Sequence, residues 1–319
     1  CLELVDVFPN GKINMTDLLV KTNANQGNIV AFFCSIPSYP YGNIDDVNGF
    51  AELALREKAG LHVDACLGGF IINFHKSNIQ PLRIKGVTSL SIDTHKNGLA
   101  SKGNGVLITL DLFGENLMYF TGYTVEGWLG GLYGTPGDEG SRSCVPAFCA
   151  MITMAHIGKT QYALMAKQIL LTGASIRKFL SFRYHVDLIE DPNGHLENVI
   201  AFKLTYPFRQ GATYALADEM KKQGIVLNTL SNGIVHFCVT NRTASDSQFI
   251  EKFKNVFIAA ENLIMKLNMI PDHKFDEGTA RLYCSVDLAM KPDLSSMTVT
   301  KYVENWLFGL SGTKDAIRR

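Results

Sequence analysis

The sequence predicts an α/β protein with a large domain built on a parallel-rich sheet, followed by a smaller α+β carboxy-terminal domain. Three observations carry this. The run IVAFFC at 29–34 is uniformly apolar and bounded by a polar stretch at 25–28 and by Pro37, as for a strand buried on both faces of a parallel sheet. A helix-period segment at 47–59 and a second apolar run at 61–65 complete a strand–helix–strand unit. Beyond a long helical pattern at 146–181, shorter strands alternate with helices. The division expected is 1–165 for the large domain and 166–319 for the small one.

Taken in order, residues 2–7 read as a strand already in mid-fold, and 29–34 as the first strand of the unit. The turn-rich segment PSYPYGNIDD follows, with Asp45 or Asp46 able to cap the helix that starts at 47. After the strand at 61–65, strands are expected at 86–92 and 105–112, separated by the polar, glycine-rich loop DTHKNGLASKGN. A second glycine-rich stretch, GWLGGLYGTPGDEGSR, occupies 127–142, and the helix at 146–181 is long enough to link two domains. The small domain is expected to hold strands near 196–205 and 233–240 and helices near 213–223 and 247–269. In a parallel sheet functional groups gather at the carboxyl ends of the strands.

Thirty basic residues balance thirty acidic ones, so no field draws polyanions and nucleic acid is not expected as a partner. The seven cysteines, Cys1, Cys34, Cys66, Cys144, Cys149, Cys238 and Cys284, are odd in number and contain no CxxC pair, which fits a reduced, cytosol-facing compartment. The longest apolar stretch, 145–157, includes Pro146 and His156 and is too short to span a bilayer, so it reads as a buried helix and no membrane segment is expected. A first residue that is Cys rather than Met, with no signal peptide, reads as a fragment. The triplets Asn14-Met15-Thr16 and Asn241-Arg242-Thr243 are chance matches to a glycosylation pattern in such a chain.

Two residues stand out chemically. Asp64 ends an apolar strand in LHVDACLGGF, where a carboxylate either caps the next turn or pairs with a cation. Lys96 follows another strand in SIDTHKNG, where desolvation can lower its pKa and make it an amine nucleophile toward a carbonyl. His62 and His95 lie near the same carboxylates, but no CxxC, HExxH or HxH supplies the ligands zinc needs, so no metal is expected. GxSxG, GxxxxGK[ST] and a helix-opening GxGxxG are also absent, which argues against a serine hydrolase and a nucleotide phosphate cradle.

Jointly, a strand-end Asp and a strand-end His-Lys pair resemble pyridoxal-phosphate enzymes of the aspartate-aminotransferase-like fold, and the DTHK context resembles their sphingosine-1-phosphate lyase branch. The similar segments are GLHVDACLGGF, IKGVTSLSIDTHKNGLASKGNG, WLGGLYGTP, GSR and IVHFCVT, so the resemblance covers nearly the whole chain. It implies a carbon–carbon lyase with pyridoxal 5'-phosphate as cofactor, acting on phosphorylated sphingoid bases by retro-aldol cleavage to a long-chain aldehyde and phosphoethanolamine. A pyridoxal-phosphate amino-acid decarboxylase and a truncated, inactive relative are the alternatives.

The resemblance also implies roles. Lys96 carries the cofactor covalently, Asp64 pairs with its ring nitrogen, His95 positions the ring or its phosphate, Ala65 lies against the ring and Ser35 near its phenolic oxygen. Lys102 manages protons or meets the substrate phosphate. Tyr133 and Arg142 approach the substrate or the site of a neighbouring subunit, since the family works as a homodimer. The resemblance implies a cytosol-facing site at the endoplasmic reticulum if an anchor precedes Cys1, and the part of the large domain gripping the cofactor phosphate is expected upstream of Cys1. The chain departs from the family pattern at Asn97 (usually Tyr), Leu129 (usually Gln), Tyr41 (commonly His) and Ser143-Cys144 (usually Pro-Gly), which bears on substrate preference.

Overall fold

The computed structural model describes residues 2–77, 79–110, 121–123, 129, 133–135 and 141–275. The strand expected at 2–7 does not form; Val7 makes one isolated bridge, to Ile13. A helix that the pattern did not announce follows, α1 (Met15–Ala24), capped by the Asn14 side chain, which accepts from the N–H groups of Thr16 and Asp17. Only Leu18 and Thr22 of α1 are buried, too few to leave an apolar stripe in the sequence.

The strand–helix–strand unit forms as β1 (Ala31–Ser35), α2 (Val47–Glu57) and β2 (Gly60–Asp64), and the two strands are parallel with Ser35 opposite Asp64. Asp46 caps α2 by accepting from Gly49 N–H at 3.1 Å. Asp45 instead accepts from Ser35 N–H at 2.8 Å, which ties the turn to the end of β1. Burial along β1 alternates, correcting the expectation of a strand covered on both faces. Phe32 packs edge-on against Phe50 of α2, with centroids 6.3 Å apart, while Phe33 points the other way and is 69% exposed.

β3 (Ser89–Ile92) pairs parallel with β2, and β4 (Val106–Thr109) pairs antiparallel with β3, giving the order β1-β2-β3-β4. Because β4 runs back along β3, residues 93–105 form a hairpin arch rather than a loop leading into a helix. β5 (Thr121–Tyr123) and β6 (Tyr133–Thr135) make a separate antiparallel pair.

The long helix is α3 (Val145–Ser181), which kinks at Gly158, where φ is 70° and ψ is 163°. No helix among the described residues is long and apolar enough to cross a membrane. The first turns of α3 are not buried as expected. Ala150 faces inward, but Val145, Phe148, Met151 and Ile152 are each more than half exposed, because an all-apolar helix start packs here on one side only.

A second sheet follows, from β7 (Val186–Leu188), β8 (Val199–Leu204), β9 (Asn228–Thr229) and β10 (Val235–Cys238), in the order β7-β8-β10-β9. Its helices are α4 (Ala212–Lys222), α5 (Asn241–Ala244) and α6 (Phe249–Asn268). The chain divides into two compact units, one comprising 1–179, 188–200 and 238–250, the other 180–187, 201–237 and 251–319. In the first, Phe50, Leu61, Val63, Ile72 and Val87 are buried to 2% or less. In the second, Phe253 and Phe257 of α6 pack against Phe237 of β10 and Phe202 of β8, at centroid distances of 5.5 and 5.9 Å. Beside them Glu261 is buried but paired with Arg183 and His185.

Candidate active site

The carboxyl ends of β1, β2 and β3 bring together most of the residues the sequence singled out. Asp64 is the last residue of β2 and stands beside Ser35, the last of β1. Its Oδ1 accepts from Cys66 N–H at 2.9 Å and from the Ser91 hydroxyl at 3.3 Å. These two neutral donors fit the turn cap, one of the two roles expected of Asp64. One carboxylate oxygen thus caps the turn after β2, and the carboxylate also meets the Cys66 thiol.

Two residues back on the same face, the His62 ring sits between two serine hydroxyls, Nδ1 at 2.8 Å from Ser89 Oγ and Nε2 at 3.1 Å from Ser91 Oγ. Burial lowers the His62 pKa, against the pull of Asp64. A line of polar contacts therefore runs from Ser89 through His62 and Ser91 to Asp64.

Lys96 lies in the arch after β3, with Nζ 2.8 Å from Asp93 Oδ2 and a further hydrogen bond to the Cys66 thiol. Burial works to lower its pKa, but the hydrogen bonds to Asp93 and Cys66 outweigh it and the net shift is upward. That corrects the expectation of an amine made more acidic by desolvation alone. Cys66, which sequence reasoning passed over, thus bridges the pair, its N–H on Asp64 and its sulfur on Lys96. Burial raises the Cys66 pKa, against the hydrogen bond from Lys96.

The arch itself is firmly held. Thr94 is fully buried and its hydroxyl donates to Asn104 O at 3.1 Å. Asn97 donates to Leu67 O at 2.7 Å, and the Tyr162 hydroxyl to Gly98 O at 2.7 Å. A side chain at position 98 would come within 2.5 Å of Thr94 O, so glycine is required by close approach. His95 Nε2 is 3.7 Å from Asp93 Oδ2, while its Nδ1 is buried without a partner.

The other candidates are placed less centrally. Ala65 is fully buried and donates its N–H to Ser91 O, and Ser35 is half-buried. Lys102 is exposed on the arch and Arg142 is exposed just before α3. The backbone of Tyr133 lies in β6, but its side chain is outside the described residues. Beside Lys96 opens a cavity of about 410 Å³ whose lining includes His95, Lys96, Asn198, Cys238 and Arg242. Asn198 and Arg242 carry no local signal; only the fold brings them to the lysine.

The donor set suits a carbonyl-bearing organic cofactor: an amine after one strand, a carboxylate at the end of the neighbouring one, and a ring nitrogen buried without a partner among the described residues. Among the described residues no group of three or more His, Cys, Asp or Glu side chains is arranged to hold a metal ion.

Comparison with known proteins gives this geometry a context. No protein-family model matches the chain. It is 34% identical over 237 residues to sphingosine-1-phosphate lyase 1 of Mus musculus, covering 72% of this chain and 40% of the relative. It is 33% identical over 270 residues to a probable sphingosine-1-phosphate lyase of Legionella pneumophila, covering 80% and 42%. With the sphingosine-1-phosphate lyase of Dictyostelium discoideum the identity is 29% over 311 residues, covering 94% and 54%. The chain thus spans about half the length of the curated relatives it matches. Among solved structures, a sphingosine-1-phosphate lyase of Burkholderia pseudomallei superposes with a TM-score of 0.69 at 26% identity, over 92% of this chain and 62% of that one. A glutamate decarboxylase of Lactobacillus brevis, at 20% identity and a TM-score of 0.66 over 83% and 61%, shares the fold. The fold is therefore the aspartate-aminotransferase-like one that the sequence led us to expect.

Proposed function

Because the chain belongs to the sphingosine-1-phosphate lyase family, we propose that the protein cleaves phosphorylated sphingoid bases between C2 and C3 in a pyridoxal-phosphate-dependent retro-aldol reaction. The products are a long-chain aldehyde and phosphoethanolamine. The reading rests on one observation above all: Cys66 ties the Asp64 carboxylate and the Lys96 amine together at the ends of adjacent parallel strands.

The residues present fit pyridoxal phosphate. Lys96 would hold its aldehyde carbon, Asp64 would keep its ring nitrogen protonated, and the Nδ1 of His95, without a partner among the described residues, suits a polar substituent or the cofactor phosphate. Ser35 stands beside Asp64 at the neighbouring strand end. The full burial of Ala65 favours Cys66 for contact with the ring face in its place. When bound, the cofactor supplies an electron sink for the bond that breaks.

The chain's own groups handle binding and protons. Asp93, 2.8 Å from Nζ, takes up or returns the proton that Lys96 loses or gains. Lys102 offers a point charge for the substrate phosphate and a second proton carrier near the C3 hydroxyl. The assembly proposed is a homodimer in which Tyr133 and Arg142 serve the neighbouring site, and the exposed apolar residues at the start of α3 support such a covered surface. A cytosol-facing location at the endoplasmic reticulum is proposed from family membership.

The test is to incubate the protein and its Lys96→Ala variant with pyridoxal phosphate, reduce with borohydride and map the adduct by mass. Label on Lys96, absent in the variant, is expected; label scattered over surface lysines in both would sink the reading.

A further inference from the structure

The cavity beside Lys96 is lined by a buried side chain with a polar atom that has no partner among the described residues. Asn198 lines it and is 2% exposed, yet its side-chain oxygen accepts no hydrogen bond. Buried amide oxygens nearly always find a donor, so one without a partner among the described residues, in a side chain that lines a cavity, calls for a donor from outside.

The backbone at this position is fixed. The Asn198 carbonyl accepts from Val239 N–H at 2.8 Å. The preceding Glu197 is held by His75 at 3.1 Å and Lys76 at 3.5 Å. Its carbonyl passes so close to Gly173 that a Cβ there would stand 1.8 Å away. The side-chain torsions of Asn198 are left to turn its oxygen toward the cavity. Arg242 lines the same cavity and forms no salt bridge among the described residues. Lys96, the other cation there, is engaged with Asp93. Among the described residues the cavity is therefore lined by one side chain with an unpaired neutral acceptor and by one guanidinium without a salt bridge.

Resting on the lyase reading, we propose that Asn198 and Arg242 form the head-group subsite, with Asn198 Oδ1 accepting from the ammonium or hydroxyl of an amino phosphomonoester and Arg242 pairing with its phosphate. A guanidinium binds phosphate through two parallel N–H bonds, and the cavity of about 410 Å³ has room for this polar end beside Lys96. An amino-acid carboxylate shares part of that chemistry, so the test must separate the two.

Calorimetric titration of the protein, without added cofactor, with phosphoethanolamine, ethyl phosphate and serine does so. Saturable binding of phosphoethanolamine is expected, weaker binding of ethyl phosphate and the weakest of serine. Arg242→Gln should weaken both phosphates by about 10- to 100-fold, as expected for a lost charged hydrogen bond. Asn198→Ala should weaken phosphoethanolamine by about tenfold and leave ethyl phosphate unchanged. Asn198→Ser serves if the alanine variant does not fold, with folding checked by circular dichroism. Affinity unaffected by both substitutions, no binding at all, or serine binding tighter than phosphoethanolamine would each overturn the subsite. Borohydride labelling of Lys96 is read in parallel: label present with titrations unaffected removes the subsite alone, and label absent removes the lyase reading beneath it.

Discussion

Replacing Glu197 by Gln removes a charge whose contribution to stability can be worked from its surroundings. Burial acts to raise the Glu197 pKa, but the hydrogen bond from His75, its own backbone N–H and the nearby Lys76 hold it down to about 2, against 4.5 for a free glutamate. A folded-state pKa below the unfolded value means that the unfolded chain binds the proton more tightly. The stabilisation is then complete above pH 4.5 and is lost as pH falls through about 2. The interval is worth roughly 3 kcal/mol at neutral pH. Urea unfolding of protein and variant, followed by tryptophan-independent far-ultraviolet circular dichroism between pH 7 and pH 2, measures it. A gap of roughly 3 kcal/mol at pH 7 that closes toward pH 2 is expected. A gap that stays constant across the range would refute the reasoning, because it would locate the loss in packing rather than in charge.

Further predictions concern neighbouring parts of the site. Gly173→Ala forces a Cβ onto Glu197 O and should destabilise by about 1–3 kcal/mol, the usual cost of overpacking, read as a lower urea midpoint at unchanged slope. Burial raises the Asp45 pKa to about 6, against a lowering by the Ser35 N–H bond, so the folded state binds the proton more tightly. Its contribution is present below pH 3.8 and lost as pH rises through about 6, so Asp45→Asn should gain stability over wild type at pH 7 but not at pH 3.5. An equal difference at both pH values would contradict that. Asp93→Asn removes the hydrogen bond that raises the Lys96 pKa, and should move the pH dependence of Lys96 labelling by pyridoxal phosphate toward lower pH. An unmoved profile would show that Asp93 does not govern the amine.

What was legible in the sequence follows from how local the signal is. Asp64 and Lys96 each end or follow an apolar strand, and a charged residue there is anomalous within its own segment. The unit β1-α2-β2 announces itself by apolar period and by a capping aspartate. Cys66 looks like any small apolar residue until the arch brings Lys96 onto it from 30 positions away, as the Asn97 contact to Leu67 also does. Asn198 and Arg242 depend on still more distant pairings, of which Val239 N–H to Asn198 O is one. Where hydropathy did mislead, the reason was one-sided packing. Phe33 and the first turns of α3 are apolar yet exposed, because the sequence records what a residue is and not which of its faces is covered. α1 escaped notice for the opposite reason, having almost nothing to bury.

The antiparallel return of β4 along β3 has a mechanical consequence. Ile92 and Val106 are ladder partners, so both feet of the arch that carries Lys96 and Lys102 are anchored at the same rung. With Thr94, Asn97 and Gly98 also pinned, the two lysines ride on one stiff handle rather than on two independent strings. A displacement of the backbone beneath one lysine must carry the backbone of the other with it. A molecule touching both would therefore meet two roots at a fixed backbone spacing, with only the flexible lysine stems left to adjust to its length.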